Sequence, residues 1–273
     1  MNLKKQNLLN KNIIISHAHN TSYGNFYRAL LYRFTNFLSD LNDNVSYEAT
    51  DKFIEDKVFD KEKTITVVNG IDINKYKKYS SIRSEFRKKF SLSEEDTIFI
   101  NVASLTSQKD HINLLNAYYY VLNKGLNKSH LYIVGDGPLR NELENEINRL
   151  DIKNKVTLLG LRKDIDKLLN MADIFVLSSA WEGLPLVVAE AMAAEKVVIS
   201  TDCGGVKEII DDKRSLVDIK NHIALGDKML EFVSLSADLK LEIGLKNRTK
   251  VKNAYSLDSM AERWDNIYKN FKA

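Results

Sequence analysis

Short apolar runs alternate with longer segments of helical spacing between residues 97 and 201 of the chain. The runs are almost continuously apolar, a pattern that is typical of strands buried on both faces of a parallel sheet. They are TIFINVAS (97–104), HLYIVGDG (130–137), VTLLG (156–160), IFVLSS (174–179) and VVIST (197–201). The alternation predicts right-handed strand–helix–strand units, and therefore an α/β fold with a doubly wound parallel sheet.

The carboxyl ends of these predicted strands fall along one rim of the sheet. Ligands of doubly wound sheets bind in the crevice beyond the carboxyl ends of the strands. The residues expected along this rim are Ser104, Gly135, Gly160, Ser179 and Thr201. We therefore expect the binding site of the protein to lie there.

The N-terminal part contains fewer elements than a whole α/β domain needs. The pattern predicts a strand in NIIISHAH (12–19), an amphipathic helix over 25–41 and a second strand in KTITVVNG (63–70). We therefore predict a partial, Rossmann-like N-terminal domain over 1–75 and a main domain over 76–255. Apolar residues at helical spacing predict a last helix over 256–273 that packs back toward the N-terminal part.

The composition is that of a soluble globular protein, since 44% of the 273 residues are hydrophobic and 28% are charged. The formal net charge of +3 gives no indication of a nucleic-acid partner. A single cysteine, Cys203, excludes an internal disulfide bond and fits a reducing compartment. The sequence has no apolar run long enough to span a membrane and no signal-peptide pattern, so we expect a cytoplasmic protein.

The segment SSAWEGLPLVVAEAMA (178–193) joins a predicted strand to a predicted helix. Pro185 fits the start of the helix, where its missing N–H group is not needed. The first turn is expected to offer unpaired N–H groups from Leu186 to Val188, at the positive end of the helix dipole. Such a helix start is a ready binding place for phosphate, although every α/β protein has several.

Glu190 lies on an otherwise small and apolar face of this predicted helix. Val187, Ala191 and Ala194 share that face at helical spacing. An unpaired buried carboxylate is costly, so Glu190 must meet a partner or face a polar cleft. Two interpretations fit equally well: the carboxylate binds the two hydroxyl groups of a ribose, or it forms a structural salt bridge with a nearby Lys or Arg.

Glu182 and Glu190, in the sequence EGLPLVVAE, match the Glu-x7-Glu motif of glycosyltransferase family 4. Further segments resemble motifs of that family in the same order along the chain. They are NGID (69–72), VASLTSQKDHINLLNAY (102–118), LYIVGDGPLRNELE (131–144), VTLLGLRKDIDKLLNMADIFVLSS (156–179) and TDCGGVKEII (201–210). The resemblance covers residues 63–273. It implies a GT-B fold, in which two Rossmann-like domains face each other and the second holds most of the donor.

The resemblance implies roles for individual residues in binding a nucleotide sugar. Glu190 is expected to hold the ribose hydroxyl groups, and Glu182 to face the ring hydroxyl groups of the donor sugar near the reaction centre. The N–H groups of Leu186 and Val187 are expected to bind the diphosphate, which Lys109 neutralises as a point charge. Leu161 and Arg162 are expected to lie beside the base. The other residues expected to line the donor are Gly183, Leu184, Pro185, Ser104, Gly204 and Gly205.

Some of these positions also have a plainer interpretation. Lys109 also fits a solvated helix lysine, and Gly204 and Gly205 also fit a strand-to-helix turn. Ser104 stands where the family commonly has an arginine beside the lysine. The loss of that cation leaves the diphosphate, and therefore the leaving group, less stabilised. Arg162 and Lys163 are the candidates for a replacement cation.

The segment SHAHN (16–20) resembles the end of an N-terminal-domain strand in polysaccharide-type members of the family. The resemblance places His19 in the cleft, as a catalytic group that orients the acceptor or contacts the donor sugar. His17 shares its face of the strand. Both residues also fit histidines whose hydrogen bonds are satisfied at a strand end.

The expected chemistry involves no metal ion. The sequence has no Asp-x-Asp motif and no histidine cluster with metal-ligand spacing near these residues. The resemblance likewise implies a metal-independent transferase without a cofactor, whose donor is a nucleoside-diphosphate sugar, with a UDP-sugar favoured. The anomeric configuration is expected to be retained, by a front-face route in which the departing phosphate assists the acceptor hydroxyl.

We therefore expect a retaining hexosyltransferase that acts on a glycan or lipid-linked acceptor in cell-surface polysaccharide, capsule or lipopolysaccharide assembly. The alternative is a module that binds a nucleotide sugar without turnover, while a sugar-nucleotide epimerase fits the motifs less well. The family's first half-domain has no counterpart here, which suggests a reduced acceptor site, a longer natural chain or a partner chain. The helix over 25–41 fits peripheral membrane contact or packing on that half-domain.

Overall fold

A computed structural model describes residues 13–18 and 26–272 of the chain. The chain divides into two compact units, Met1–Val68 and Asn69–Ala273. Residues 69–75, which the sequence predicts in the N-terminal domain, lie in the second unit. No helix in the described ranges combines the length and the apolar character that crossing a membrane requires.

The first unit is built on short parallel strands. Its described elements are β1 (Ile15–Ala18), α1 (Phe26–Thr35), β2 (Leu41–Asn44), α2 (Tyr47–Glu55) and β3 (Thr64–Thr66). The strand β2 lies between β1 and β3, and it places Asp43 opposite His17 of β1. The side chain of Ser46 caps α2 by accepting from the N–H group of Ala49. A small core surrounds Phe53.

The sequence-based prediction of a helix over 25–41 is wrong at its end, because α1 stops at Thr35 and the central strand β2 begins at Leu41. This strand has the polar sequence LNDN, although all four residues are buried. The buried polar side chains bond to one another. The Ser39 hydroxyl donates to Asn42 Oδ1 (2.8 Å), and Asn42 Nδ2 donates to Asn36 Oδ1 (2.6 Å). Polar side chains can be buried when their hydrogen bonds are satisfied. The sequence of this strand therefore shows no alternation of apolar and polar residues.

The helix α1 carries large apolar side chains on both its inner and its outer face. The ring of Tyr32 packs edge-on against the ring of Phe59 on the inner face. On the outer face the large apolar side chains of Tyr27, Leu31 and Phe34 are exposed. Membrane contact and packing on a further half-domain both stay predictions for this outer face.

The second unit is a doubly wound α/β domain. Its elements are α3 (Ser80–Lys89), β4 (Thr97–Val102), α4 (His111–Asn123), β5 (Ser129–Val134), α5 (Arg140–Arg149), β6 (Val156–Leu158), α6 (Ile165–Met171), β7 (Ile174–Leu177), α7 (Leu186–Ala193), β8 (Val197–Thr201), α8 (Val206–Ile209), β9 (Leu216–Val217), α9 (His222–Ser234), α10 (Ala237–Ala254) and α11 (Leu257–Lys272). The strands are parallel, in the order β6-β5-β4-β7-β8-β9. The predicted fold class is therefore confirmed.

The strand order of this sheet fixes where a ligand crevice opens. From β4 the chain first adds β5 and β6 on one side, and it then returns to add β7, β8 and β9 on the other side. The order therefore reverses between β4 and β7, which pair through Phe99 and Ile174. Ligands of doubly wound sheets bind at such a reversal, at the carboxyl ends of the strands.

The segment NGID (69–72) is fastened to the start of the last helix. The N–H group of Ile71 donates to the carbonyl oxygen of Tyr255 (2.8 Å), and the N–H group of Leu257 donates to the carbonyl oxygen of Ile71 (3.0 Å). A Cβ atom on Gly70 would lie 2.7 Å from the carbonyl oxygen of Ser256, so this approach requires glycine. The packing of 256–273 against the N-terminal domain stays a prediction.

Candidate active site

Three loops lie at the carboxyl rim beside the reversal of strand order. They follow β4 (103–110), β7 (178–185) and β8 (202–205). Backbone hydrogen bonds join them in sequence. The N–H group of Ala180 donates to the carbonyl oxygen of Gln108 (2.8 Å), and that of Gly205 donates to the carbonyl oxygen of Gly183 (2.9 Å). The predicted rim is therefore one connected surface at this point.

Glu182 forms an ion pair with Lys109 across two of these loops. Its Oε1 atom accepts from Lys109 Nζ (2.5 Å) and from the Ser179 hydroxyl (2.7 Å), and Gln108 Nε2 lies 3.4 Å from Oε2. The Glu182 side chain is only 6% exposed. The structure thus brings together the two residues for which the sequence suggested roles at the reacting end of the donor. The contacts of Gln108 and Ser179 with Glu182 were not predicted.

Lys109 is held in place by the backbone that follows it. The next residue, Asp110, adopts a left-handed conformation (φ 45°) and caps α4, because its side chain accepts from the N–H group of Asn113 (3.3 Å). The Ser178 hydroxyl donates to the carbonyl oxygen of Lys109 (2.8 Å). The plainer interpretation of Lys109 as a solvated helix lysine does not describe this largely buried, paired side chain.

Glu190 is half-buried on α7, and Tyr76 lies near its carboxylate. Burial raises the pKa of Glu190, while the nearby Tyr76 hydroxyl and the positive charge of Lys75 oppose that rise. Tyr76 was not predicted from the sequence as part of the site.

The start of α7 differs in one detail from the sequence-based expectation. Pro185 is the N-cap residue and α7 begins at Leu186. The N–H group of Val188 donates to the carbonyl oxygen of Pro185 (2.9 Å), so the prediction that this group is unpaired is wrong. The N–H groups of Leu186 and Val187 precede Val188, the first N–H group to donate within the helix, and remain the candidates for binding phosphate.

Gly204 lies directly against the backbone of Glu182. Its φ angle is +54°, and a Cβ atom built on it would lie 1.9 Å from the carbonyl oxygen of Glu182. Gly205 follows with the hydrogen bond to Gly183 described above. The two glycines are turn residues, and the turn that they form supports the loop carrying Glu182.

We expect the variant Gly204→Ala to lose both thermal stability and affinity for a nucleoside diphosphate, because the new methyl group displaces the Glu182 loop. Gly125→Ala is a matched control: its φ angle is also positive (+97°), but no atom lies within 4 Å of the added Cβ. The left-handed backbone alone costs about 1–2 kcal/mol with a side chain. Thermal melts should show a clearly larger loss for Gly204→Ala than for the control, and equal losses would contradict the close approach.

The residues predicted beside the base lie at the end of β6. Leu161 is 81% exposed. Arg162 makes two hydrogen bonds with Asp164 (2.8 and 2.6 Å), which hold the pKa of that carboxyl below its usual range. The charge of Arg162 is therefore already paired, which argues against its replacing the cation that Ser104 lacks.

His17 and His19, which the sequence singles out, and His111, which lies close to Lys109 in sequence, have different positions. His19 lies outside the described residues. His17, in the first unit, places Nδ1 2.6 Å from the carboxylate of the buried Asp43. In the second unit His111 begins α4 and bonds to the Asn101 side chain (3.1 Å). Burial, with the charge of Lys109, lowers the pKa of His111 to about 4, so this residue is neutral at physiological pH.

The described residues contain no group of three or more His, Cys, Asp or Glu side chains that could bind a metal ion. The candidate site at the reversal of strand order instead combines open N–H groups at a helix start, a paired lysine and two glutamates. Such a combination suits an anionic ligand that also carries hydroxyl groups. The metal independence of the reaction stays a prediction.

The sequence matches a known family over most of the second unit. The family model described as "Glycosyl transferases group 1" matches residues 82–252. An uncharacterized glycosyltransferase of Methanocaldococcus jannaschii is 38% identical over 161 residues, which cover 58% of this chain and 39% of that protein. The UDP-Gal:alpha-D-GlcNAc-diphosphoundecaprenol alpha-1,3-galactosyltransferase of Escherichia coli is 27% identical over 220 residues, which cover 79% of this chain and 56% of that protein. The chain spans about half the length of the curated relatives it matches.

Solved structures agree with the fold. HepE of Anabaena, in complex with UDP and glucose, superposes with a TM-score of 0.85 at 21% identity, over 94% of this chain and 72% of that chain. A glycosyltransferase of Rickettsia africae superposes with a TM-score of 0.83 at 22% identity, over 94% of this chain and 70% of that chain. Assignment to family 4 within the wider group stays a prediction. Because the family match covers more than half of its residues, the chain belongs to the glycosyl transferases group 1 family.

Proposed function

We propose that this chain binds a nucleoside-diphosphate sugar, with a UDP-sugar favoured, and transfers the sugar with retention of anomeric configuration and without a metal ion. The observation that carries the proposal is the position of the Glu182–Lys109 pair, at the strand reversal and beside the start of α7. Support also comes from relatives: the Escherichia coli protein is named for a UDP-Gal donor, and HepE was crystallised with UDP-glucose.

In the proposed complex each part of the donor meets a suitable partner. The N–H groups of Leu186 and Val187 bind the diphosphate at the positive end of the α7 dipole. The carboxylate of Glu190 accepts hydrogen bonds from the two ribose hydroxyl groups. Glu182 lies in the loop that leads into α7, and Lys109 pairs with it from the loop after β4. This pair is assigned to the sugar and the adjacent phosphate.

The proposed reaction exchanges one bond for another on the same face of the sugar. The bond between the anomeric carbon and the β-phosphate oxygen breaks, and the acceptor oxygen forms the new bond to that carbon. The departing phosphate oxygen takes the proton of the acceptor hydroxyl. The contribution of the chain is to stabilise the negative charge that grows on the diphosphate and to hold the sugar in place.

A second candidate function is a module that binds the nucleotide sugar without turnover. It is favoured by the neutralised cations at the rim, because Lys109 is paired with Glu182 and Arg162 with Asp164. Ser104 adds no charge. A weakly neutralised diphosphate is a poorer leaving group, although amide hydrogen bonds still bind it.

The acceptor, the partners and the location of the protein follow from the family resemblance alone. We propose a glycan or lipid-linked acceptor used in cell-surface polysaccharide assembly, such as capsule or lipopolysaccharide. The curated relative from Escherichia coli is named for a diphosphoundecaprenol-linked acceptor. A cytoplasmic location with peripheral membrane contact, and a partner chain for the acceptor side, remain predictions of the same kind.

Calorimetry with UDP, GDP and ADP, each free and as a sugar conjugate, tests the proposal. We expect at least one of them to bind, with UDP compounds the tightest. Release of UDP from UDP-sugars, followed with and without a lipid-linked acceptor, then separates a transferase from a binding module. If a folded preparation binds none of these nucleotides or conjugates, both candidate functions are wrong.

A further inference from the structure

The carboxylate of Glu182 accepts from two side chains through the same oxygen. Its Oε1 atom accepts from Lys109 Nζ (2.5 Å) and from the Ser179 hydroxyl (2.7 Å), whereas the contact of Oε2 with Gln108 Nε2 is longer (3.4 Å). Ser179 and Glu182 are both buried. The reaction described above uses Glu182 and Lys109, but it makes no use of Ser179.

The proposed function makes two demands on Lys109. Its ammonium group is paired with the Glu182 carboxylate, and the same group is assigned to the diphosphate of the donor. A diphosphate carries more negative charge than one carboxylate, so it competes strongly for the ammonium group. As Lys109 turns to the diphosphate, the Glu182 carboxylate loses one of the donors that hold it.

The backbone around Glu182 is fixed by contacts other than this ion pair. Gln108 Nε2 donates to the carbonyl oxygen of Trp181 (2.9 Å), and Gly204 packs directly against the Glu182 backbone, as described for the site. The part that remains to be fixed is the Glu182 side chain, whose single bonds rotate unless the carboxylate is held. A second donor to the carboxylate is therefore needed to keep it in one place.

Ser179 is itself firmly placed at the rim. It lies just after the end of β7, and its carbonyl oxygen accepts from the hydroxyl of Thr201 at the end of β8 (2.6 Å). Ser179 and Thr201 are both 0% exposed, so water does not compete for these hydrogen bonds. The distance of 2.7 Å from the Ser179 hydroxyl to Glu182 Oε1 is that of a strong hydrogen bond to a charged acceptor.

We propose that Ser179 is a positioning residue, whose hydroxyl keeps the Glu182 carboxylate in place while Lys109 turns to the diphosphate. The inference rests on the proposed function. The lone pair of Oε1 that Lys109 leaves then accepts from a ring hydroxyl of the donor sugar, and Oε2 offers further acceptor positions. Ser179 thus supports recognition of the sugar and has no direct part in binding the nucleotide.

The test is the selectivity of Ser179→Ala between a nucleoside diphosphate and its sugar conjugate. The ligands are the pair of UDP, GDP or ADP compounds that the unchanged protein binds most tightly in the calorimetry described above. We expect the affinity for the free nucleotide to change by less than about twofold, and that for the conjugate to fall about fivefold to tenfold, since one hydrogen bond that orders the carboxylate is lost. A general loss of stability affects both ligands alike, so the ratio of the two dissociation constants does not report it.

Ser200→Ala is the matched control. It removes the hydroxyl of another serine that is 0% exposed, and this hydroxyl donates to the carbonyl oxygen of Thr201 and not to Glu182. Ser179→Cys is a second variant of similar size, and its thiol is only a weak donor, so its ratio should move in the same direction as that of Ser179→Ala. Thermal melts verify that the variants are folded.

The outcomes separate the positioning role from the proposed function. If the unchanged protein binds both ligands but the Ser179 variants keep its ratio, the positioning role is wrong while the proposed function stands. An equal change of the ratio in Ser200→Ala would assign the effect to packing of the rim and would also overturn the role. If the unchanged protein binds none of the nucleotides or conjugates, the proposed function is wrong and the role of Ser179 falls with it.

Discussion

Replacing Glu190 with alanine should weaken the binding of UDP roughly 100-fold or more, because both ribose hydroxyl groups lose their acceptor. Hydrogen bonds to a charged group contribute about 1.5–3 kcal/mol each, and the ribose loses its charged acceptor in this variant. Because Glu190 is half-buried, water can replace the lost carboxylate as a hydrogen-bond acceptor only in part. Isothermal titration calorimetry of the two proteins with UDP measures the effect.

The ligand series makes this prediction specific to the ribose. Glu190→Ala should bind inorganic pyrophosphate as well as the unchanged protein does, since the diphosphate contacts lie at Leu186 and Val187. Glu142→Ala removes an exposed carboxylate in the first turn of α5 and controls for the change in net charge. Equal losses for UDP and pyrophosphate would assign Glu190 to the phosphates or to folding instead.

Replacing Lys109 with methionine should destabilise the second unit by about 3 kcal/mol, because Glu182 is left as a buried charge without its counter-ion. The Glu182 and Lys109 side chains are 6% and 17% exposed, so solvent screens the pair only weakly. Urea unfolding followed by tryptophan fluorescence measures the loss. The two tryptophans of the chain, Trp181 and Trp264, both lie in the second unit.

The double variant Lys109→Met/Glu182→Gln separates stability from ligand binding. Removing both charges should restore most of the stability, since the amide that replaces the carboxylate keeps the hydrogen bond from Ser179 and leaves no buried charge. Affinity for UDP should stay low, because the cation beside the diphosphate is still absent. A double variant that remains as unstable as Lys109→Met would show that Lys109 stabilises the loop by packing and not through Glu182.

The apolar runs were sufficient to predict the second unit. Strands buried on both faces consist almost entirely of apolar residues, so β4, β5, β7 and β8 stand out in the sequence. The rule that ligands bind at the carboxyl ends then indicated the loops of Ser104 and Ser179. In the first unit the same reasoning failed at β2. The buried Asn42 forms hydrogen bonds with neighbouring side chains, so this strand is not apolar in sequence.

The contacts between side chains within the site could not be predicted from the sequence. Helical periodicity showed that Glu190 needs a partner or a polar cleft, but it could not indicate Tyr76, which lies near its carboxylate and far away in sequence. The pairing of Glu182 with Lys109 likewise depends on how the loops after β4 and β7 meet. Periodicity reports which face of an element is buried, whereas partners across elements are set by tertiary packing.

Binding of a nucleoside diphosphate at the start of α7 can be measured by NMR of the 15N-labelled protein during titration with UDP, with the backbone amides assigned. We expect the largest shifts at Leu186 and Val187. If these two amides do not move while the shifts gather elsewhere, for example at the cavity beside Lys207 and Lys213, the donor site has been placed wrongly.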